Sequence, residues 1–291
     1  MKYNRRTFLA RSGAAAAGVA VTSIGGVSLL SCHHNDPDNV FGLQLWTLRD
    51  EMPKDPKGVL KQVASFGYKQ IESYDGPSGI FWGMSAADFK KYMDELGMTL
   101  VGAHCDTNKD FEKKVADMAS IGSKYLYAPW LGPQPTLDDY KKKAADFNRL
   151  GEITKKSGLR FGYHNHDYSF LPVEGQLPQD VMMANTDPAL VDFQMDIYWT
   201  VTAGQDPEAW FKKYKDRFRA VHIKDRIRNS TEKEATCNLG EGSIDFPKIL
   251  NTARENGVQH FIVEQERYDN STPLKSTEAN ANYMKNLKLK T

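Results

Sequence analysis

The stretch "RFGYHNHD", residues 160–167, reads as a buried β-strand that finishes in polar side chains. Its first half is rich in aromatic and small residues, which is typical of a strand in a protein interior. Its second half adds His164, His166 and Asp167, and such side chains are rarely buried without a partner. The stretch therefore predicts a strand whose end contributes to a binding or catalytic site.

Seven other runs have the same character, each a short β-rich segment followed by a loop. They are residues 41–48, 68–74, 99–105, 124–130, 190–198, 218–225 and 259–266. Amphipathic helical patterns such as "SAADFKKYMDELG" (85–97) follow most of them, and several end in a glycine where a left-handed cap belongs. Eight such units predict an α/β fold, a (β/α)8 TIM barrel forming a single domain over residues 40–291. An open doubly wound sheet is the alternative, although no Gly-x-Gly-x-x-Gly follows the first strand.

The first 32 residues have the pattern of an export signal. Paired arginines in "NRRTFLA" (4–10) precede an uncharged, apolar run that ends in "LLSC" (29–32). The ending resembles the site at which bacterial lipoproteins are cut and acylated, which here is Cys32. Residues 33–39 then form a short tether. The sequence predicts an exported, periplasmic lipoprotein; plain cleavage and a retained membrane helix are the alternatives.

Charge and cysteine content exclude several classes of protein. Removal of residues 1–31 takes away four basic residues and no acid, so the formal charge changes from +1 to −3. A mildly acidic chain without a basic tail does not provide a surface for a nucleic acid backbone. Cys105 and Cys237 are too few for a disulfide framework, although one bridge between them stays open. A homo-oligomer also stays open.

Alternation along the strands predicts which side chains point into the barrel. In the first strand these are Gln44 and Trp46. In the other strands they are Glu72, His104, His164, His166, Asp196, His222, Lys224, Glu264 and Glu266. So many charges in one cavity need mutual pairing, water or a metal ion, and an ordinary layer of ion pairs is the alternative to a metal site. Nitrogen and oxygen ligands of this kind suit one Mn²⁺, Co²⁺, Zn²⁺, Fe²⁺ or Mg²⁺ ion rather than Ca²⁺.

Several motifs resemble the xylose isomerase-like barrel superfamily of sugar phosphate isomerases and epimerases, which includes ketose 3-epimerases and inosose dehydratases. The motifs are "GYHNHDYSF", "DFQMDIYWT", "AVHIKD", "LGEGSIDF" and "IVEQE". The resemblance covers residues 40–289 and implies one divalent metal held by Glu, Asp, His and Glu from strands five to eight. Asp196, His222 and Glu264 match that pattern, whereas His164 stands where the first glutamate belongs. The resemblance thus implies His164, Asp196, His222 and Glu264 as metal ligands.

Two departures bear on the reaction. The epimerases, as the resemblance implies, use two metal-bound glutamates on opposite faces of one carbon, and His164 removes one of them. Trp199 stands where they carry a substrate-binding histidine. The shared first step survives: a metal-bound sugar carbonyl acidifies the neighbouring C–H, and a base removes that proton. Glu264 is the expected base and Lys224 or His104 the proton donor, while Glu72, His166, Gln44, Trp46 and Trp199 are expected to bind substrate.

The sequence therefore favours a metal-dependent sugar isomerase or epimerase that acts on an extracytoplasmic keto-sugar or a related substrate. A lyase or dehydratase that cleaves 3-keto-glycosides by β-elimination is the first alternative. A non-catalytic sugar-binding lipoprotein and a metal-assisted phosphodiesterase of the endonuclease IV kind are the others. Two long loops, 171–188 and 226–245, are expected to wall the pocket. The segment "LGEGSID" within the second could cradle a phosphate, although a plain loop is favoured.

Overall fold

Eight parallel strands close into a barrel in the computed structural model, which describes residues 40–289. The predicted export signal, Cys32 and the tether lie outside the described residues. Each strand pairs with its neighbours in chain order, and the last pairs with the first. The strands are β1 (Gly42–Gln44), β2 (Gln70–Tyr74), β3 (Thr99–His104), β4 (Tyr125–Ala128), β5 (Arg160–His164), β6 (Val191–Asp196), β7 (Phe218–Ile223) and β8 (His260–Val263). The predicted (β/α)8 barrel is confirmed, with strands shorter than the sequence runs.

Helices lie in the connections between the strands and after β8. They are α1 (Pro56–Phe66), α2 (Ala86–Glu95), α3 (Phe111–Ser120), α4 (Leu137–Lys156), α5 (Pro178–Asn185), α6 (Ile197–Thr202), α7 (Pro207–Lys213), α8 (Phe246–Glu255) and α9 (Pro273–Asn286). Short 3-10 helices, Leu45–Leu48 and Asp167–Phe170, follow β1 and β5. The prediction of one continuous loop over 171–188 is wrong, because α5 forms inside it. Among residues 40–289, no helix combines the length and the apolar composition needed to cross a bilayer.

The helix ends follow from local sequence chemistry. The Asp55 side chain accepts a hydrogen bond from the N–H of Gly58 at the start of α1, and Ser85 does the same for Asp88 at the start of α2. Such caps satisfy N–H groups that lack partners within the helix. Gly67 ends α1 with a φ of 104°, a conformation that favours glycine. The predicted glycine-terminated helices are therefore present.

The amino-terminal half of the barrel interior is filled. Tyr125, Tyr127 and Ala220 form a buried cluster there. Gly162 on β5 makes room for it, since a Cβ at this position would lie 2.3 Å from Cδ1 of Tyr127. Arg160 at the start of β5 forms a 2.6 Å ion pair with Asp192. Open space is thus left at the carboxyl ends of the strands, where barrels of this kind place their functional groups.

Both cysteines in the described range are free thiols. Cys105 is buried just after β3, and Cys237 is half-buried in the connection after β7. Burial raises the pKa of each thiol to about 12. The bridge that the sequence left open is not formed.

Candidate metal centre and active site

A cavity of about 370 Å³ opens at the carboxyl ends of the strands. This volume lies within the range of small-molecule sites, roughly 300–1,000 Å³. Its walls include the predicted residues Trp46, His104, His164, His166, Lys224 and Glu264, together with Glu266. Asp196 and His222 are fully buried beneath it. The structure therefore brings together, at one end of the barrel, the residues that the sequence analysis assigned to metal binding and catalysis.

His222 lies between two carboxylates. Its Nδ1 is 3.0 Å from Oε2 of Glu264, and its Nε2 is 2.6 Å from Oε1 of Glu72. Burial alone would lower the pKa of His222, but the two carboxylates raise it to about 10. Burial would raise the pKa of Glu264, yet Lys224 and His222 hold it well below its usual range. The result is a buried, charged chain from β2 through β7 to β8.

Gln194 on β6 organises the other imidazoles. Its Oε1 lies 2.8 Å from Nε2 of His104 and 3.0 Å from Nδ1 of His164, and its Nε2 donates to Glu72 over 2.6 Å. Because an amide oxygen only accepts, both ring nitrogens facing it must carry protons. Nε2 of His164 is then unprotonated and available as a ligand. Burial lowers the pKa of His164 well below its ordinary value, which keeps this ring neutral.

Sequence reasoning missed Gln194, although a signal for it was present. It stands two positions before Asp196, so the alternation that pointed Asp196 into the barrel points Gln194 inward as well. An uncharged amide does not attract notice as a candidate ligand or base. Its importance comes from its contacts across the barrel, which the order of residues in the chain does not show.

Asp196 has one oxygen without a hydrogen bond. Its Oδ1 accepts from the N–H of Trp199 over 3.0 Å, at the start of α6. Its Oδ2 makes no hydrogen bond with any residue in the described range, although Nζ of Lys224 lies 3.2 Å away and Nε2 of His164 lies 3.8 Å away. Burial raises the pKa of Asp196. Oδ2 therefore has an ion-pair partner in Lys224 but no hydrogen bond in the described range, which leaves it able to bind a metal ion.

Lys224 carries its ammonium group into the same space. Nζ lies 2.7 Å from Oε2 of Glu264 and 2.9 Å from Oε2 of Glu266, besides its approach to Asp196. Burial would lower the pKa of Lys224, but the three carboxylates raise it well above its ordinary value. The ammonium therefore stays charged at neutral pH. Glu266, which the sequence analysis placed inward without a role, holds one side of it.

Two of the predicted substrate-binding residues lie below the cavity rather than on its wall. Gln44 and Glu72 are almost completely buried, and Nε2 of Gln44 donates to Oε1 of Glu72 over 2.6 Å. Burial would raise the pKa of Glu72, but His104 and His222 hold it well below its usual range. Glu72 contacts His104, His222 and Gln194, whereas Gln44 accepts from the N–H of Trp46 over 3.1 Å, so both support the residues above them.

The aromatic residues surround the mouth of the cavity. Trp46 is 41% exposed and Trp130 is 60% exposed, and both line it. Trp199 is buried beside them and lines a neighbouring space. Nδ1 of His166 is buried without a hydrogen-bond partner in residues 40–289, and burial lowers the pKa of this histidine to about 3. His166 is thus a neutral polar group beside two indole rings.

The loop "LGEGSID" does not offer free N–H groups to a phosphate. The carboxylate of Asp225 accepts hydrogen bonds from the N–H groups of Gly240, Gly242 and Ile244, at 2.9, 3.0 and 3.2 Å. The donors that would cradle a phosphate are therefore engaged by the chain's own side chain. This loop is closed onto the end of β7, as the plain-loop interpretation expected.

The donor set fits one divalent metal ion. Ligand atoms of Asp196, His222 and Glu264 lie within 4.8 Å of one another, as do those of His104, His164 and His222. Glu72 behind His222, and Gln194 behind His164, hold the ring nitrogens that point away from the centre, an arrangement typical of metal-binding histidines. Ligation through Nδ1 of His222 would displace the proton shared with Glu264. Oδ2 of Asp196, paired with Lys224 but without a hydrogen bond in residues 40–289, adds a buried carboxylate ligand to this set.

Comparisons with known proteins find relatives that share the barrel fold. The model of the xylose isomerase-like TIM barrel family matches residues 60–287. A sugar phosphate isomerase/epimerase from Parabacteroides distasonis is 30% identical, with 84% of this chain and 93% of that chain covered and a TM-score of 0.73. An inosose dehydratase from Clostridium tetani is 28% identical over 240 residues, which is 76% of each chain.

Other matches are shorter or more distant. An inosose dehydratase from Lacticaseibacillus casei is 27% identical over 151 residues, so the chain spans 50% of that relative's length and 47% of its own. A structure solved with a bound zinc atom is 16% identical, with a TM-score of 0.67 over 84% of this chain and 95% of that chain. At that identity, the likeness shows a shared fold.

Proposed function

The chain belongs to the xylose isomerase-like TIM barrel family, and from the chemistry of its cavity we propose that it is a metal-dependent enzyme that removes a proton beside the carbonyl group of a sugar or related polyol. One observation carries the proposal. Two buried carboxylates, Asp196 and Glu264, and the imidazoles of His164 and His222 converge at the base of a cavity whose walls include His164, Lys224 and Glu264. A purely structural layer of ion pairs does not need a 370 Å³ opening above it.

The metal would be held by His164, Asp196, His222 and Glu264. Mn²⁺, Co²⁺, Zn²⁺ and Mg²⁺ are the candidate ions. When bound, such an ion polarises a carbonyl oxygen and makes the neighbouring C–H more acidic. The comparisons support a metal-dependent reaction, because a member of the same fold has been solved with zinc.

Proton transfer and substrate orientation are assigned to side chains of the protein. Glu264, held ionised by its neighbours, is the proposed base. Lys224 is a charged donor whose Nζ lies 2.7 Å from that carboxylate. It can give a proton to a developing oxyanion and receive one from Glu264. His104 also reaches the cavity, but its protonated Nε2 faces Gln194, so Lys224 is the proposed donor. Trp46, Trp130 and His166 line the side walls and would orient the substrate ring.

The position of the carboxylates favours elimination as the fate of the deprotonated substrate. Glu264 and Glu266 both follow β8, whereas β5 contributes the neutral ring of His164. Removal and return of a proton on opposite faces requires a second base of similar strength, and the metal-site residue on β5, His164, does not supply a carboxylate for it. Loss of a leaving group from the adjacent carbon requires only one base and one acid. Isomerisation by return of the proton on the same face is the second candidate, supported by the 30% identical isomerase/epimerase.

Solvent exchange tests the proposal. The protein, loaded separately with Mn²⁺, Co²⁺ and Zn²⁺, is incubated in D2O with a panel of ketoses, keto-inositols and 3-keto-glycosides, and the products are followed by NMR. We expect deuterium beside the carbonyl, or an unsaturated product, for at least one substrate. Glu264→Gln should abolish both signals, whereas Glu255→Gln, the same change at an exposed end of α8, should retain them. Sugar binding without exchange would instead support a non-catalytic sugar-binding protein.

We further propose that the protein works outside the cytoplasm, on the basis of the pattern in residues 1–32. Acylation at Cys32 would tether the barrel to a membrane surface. Mass spectrometry of the protein from its native membrane fraction tests this proposal. A chain that begins at Met1 and fractionates with the cytoplasm would contradict it.

A further inference from the structure

A second cavity, of about 350 Å³, adjoins the first. The residues that line both cavities are Trp46, Trp130, His166 and Glu266. Because these four residues line both cavities, the two cavities form one cleft. We call the first the inner chamber, which contacts His164, Lys224 and Glu264, and the second the outer chamber, which is lined instead by side chains from the connections that follow the strands.

The outer chamber combines indole faces with charged groups of both signs. The guanidinium of Arg49 lies 5.4 Å from the ring of Trp46, and the ammonium of Lys233 lies 5.6 Å from the ring of Trp199. The acidic residues of the chamber are Asp167, Glu234 and Glu266. Three carboxylates against two cations do not favour a phosphate or another anion. Aromatic faces beside many hydrogen-bonding groups favour a neutral ring that carries hydroxyl groups.

The shared wall contains the two most exposed indole rings of the described chain. Trp46 and Trp130 are 41% and 60% exposed, and each faces both chambers. Large exposed aromatic side chains at a cleft mark a binding surface. His166, whose buried Nδ1 lacks a partner in residues 40–289, also lies on this wall. The wall between the chambers therefore combines two indole faces with one imidazole ring.

We propose that the cleft binds a glycoside, with the keto-sugar ring in the inner chamber and a second sugar unit in the outer chamber. This inference rests on the proposed function and adds the identity of the leaving group. Each chamber is large enough by itself to count as a small-molecule site, so a single monosaccharide would leave half of the cleft unused.

The corresponding reaction is a β-elimination that consumes no oxidant. Glu264 takes the proton from the carbon between the ketone and the anomeric carbon. The electron pair of that C–H bond forms a double bond to the anomeric carbon, and the bond from the anomeric carbon to the bridging oxygen breaks. The departing oxygen takes a proton from Lys224, and Glu264 returns its proton to the lysine over the 2.7 Å contact. The products are an unsaturated keto-sugar and a free sugar.

Binding measurements test the outer chamber separately from turnover. Titration calorimetry on the full chain compares α- and β-linked glucose disaccharides with the matching methyl glucosides, none of which carries the ketone. We expect at least one disaccharide to bind 10-fold or more tightly than its methyl glucoside. Lys233→Ala should reduce this ratio at least 3-fold. Lys213→Ala is the matched control. Lys233 pairs with Asp167 over 2.9 Å, and Lys213 likewise pairs with Asp180 over 2.7 Å and lies 5.1 Å from a tryptophan ring.

Equal affinities for one-ring and two-ring ligands would overturn the inference, even if keto-sugars exchange deuterium as the proposed function expects. A disaccharide preference that Lys233→Ala reduces, without any exchange or cleavage of keto-glycosides, would support the outer chamber and refute the proposed chemistry. An aryl glucoside that binds more tightly than every disaccharide would overturn the assignment of a sugar to the outer chamber.

Discussion

Replacement of Glu72 by glutamine should damage the metal centre without touching the cavity wall. The carboxylate of Glu72 accepts from Gln44 and His222 over 2.6 Å each at Oε1, and from Gln194 over 2.6 Å at Oε2. A glutamine keeps the shape but places an NH2 group against one of these donors. If Gln194 turns its amide to relieve that clash, it presents an NH2 group to His164, whose Nδ1–H then loses its acceptor.

The expected loss of stability follows from the burial of the pair. Loss of one partner from a buried, hydrogen-bonded charge pair costs about 3–5 kcal/mol. For a chain of this size that corresponds to a fall in Tm of roughly 6–20 °C. Metal affinity should fall roughly 10- to 100-fold, as is usual when the group behind a ligating histidine is changed. Urea denaturation and metal titration measure the two effects.

The pH dependence provides a second readout in the presence of a chelator. The pKa of His222 is raised from 6.5 to about 10 in the folded chain. Its contribution to stability is therefore complete below about pH 6.5 and is lost as pH rises toward 10. Glu72→Gln removes one of the two carboxylates that raise this pKa, so the decline over this window should become shallower than in the wild type.

Asp94→Asn is the control for these measurements, because it removes an exposed carboxylate that pairs with Lys90 at 2.5 Å. Exposed pairs of this kind contribute about 0.2–1 kcal/mol. If Glu72→Gln stays within about 1 kcal/mol of the wild type and binds metal equally well, the supporting role assigned to Glu72 is wrong.

Three further outcomes are expected. Cys105 and Cys237 should resist iodoacetamide at pH 8 until urea is added, because each thiol has a pKa of about 12; rapid labelling of the native protein would contradict this. Gly162→Ala should destabilise the barrel by about 1–3 kcal/mol in thermal unfolding, since its methyl group would meet Tyr127 at 2.3 Å, and an unchanged Tm would contradict the packing described. Asp225→Ala should increase hydrogen exchange at the N–H groups of residues 240–244; unchanged protection would show that the loop does not depend on this carboxylate.

The fold could be predicted because its signal is repeated eight times. Each strand run is short and apolar, and several of the helical runs that follow end in a glycine such as Gly67, so one mistaken boundary does not change the topology. The error over 171–188 has a local cause. Pro178 opens α5, and prolines and a glycine around it read as loop residues, although proline is favoured in the first turn of a helix.

The candidate site could be predicted in part. Parity along the strands placed Asp196, His222 and Glu264 inward, and the structure brings them together. The alternation of side chains does not tell how deep a residue lies along the barrel axis. It therefore could not distinguish a residue that lines the cavity from one beneath it, such as Glu72. Nor could it show the outer chamber, because Arg49 and Lys233 lie in connections between the strands, outside any strand pattern.

His164 connects the metal site with the outcome of the reaction. Two carboxylates and two imidazoles carry a charge of about −2, which a divalent ion neutralises, whereas the resemblance implies a third carboxylate in place of His164. The ion and its four ligands together would therefore carry no net charge. The Lys224 ammonium can then remain beside Asp196, Glu264 and Glu266 without a large net charge at the site. The same ring has Nδ1 bound to Gln194, and Nε2 would be used by the metal, so neither nitrogen would be free to replace a glutamate as a base. Under the proposed function, this one side chain would favour a nitrogen-binding metal and would restrict proton removal to the side of Glu264, as the proposed elimination expects.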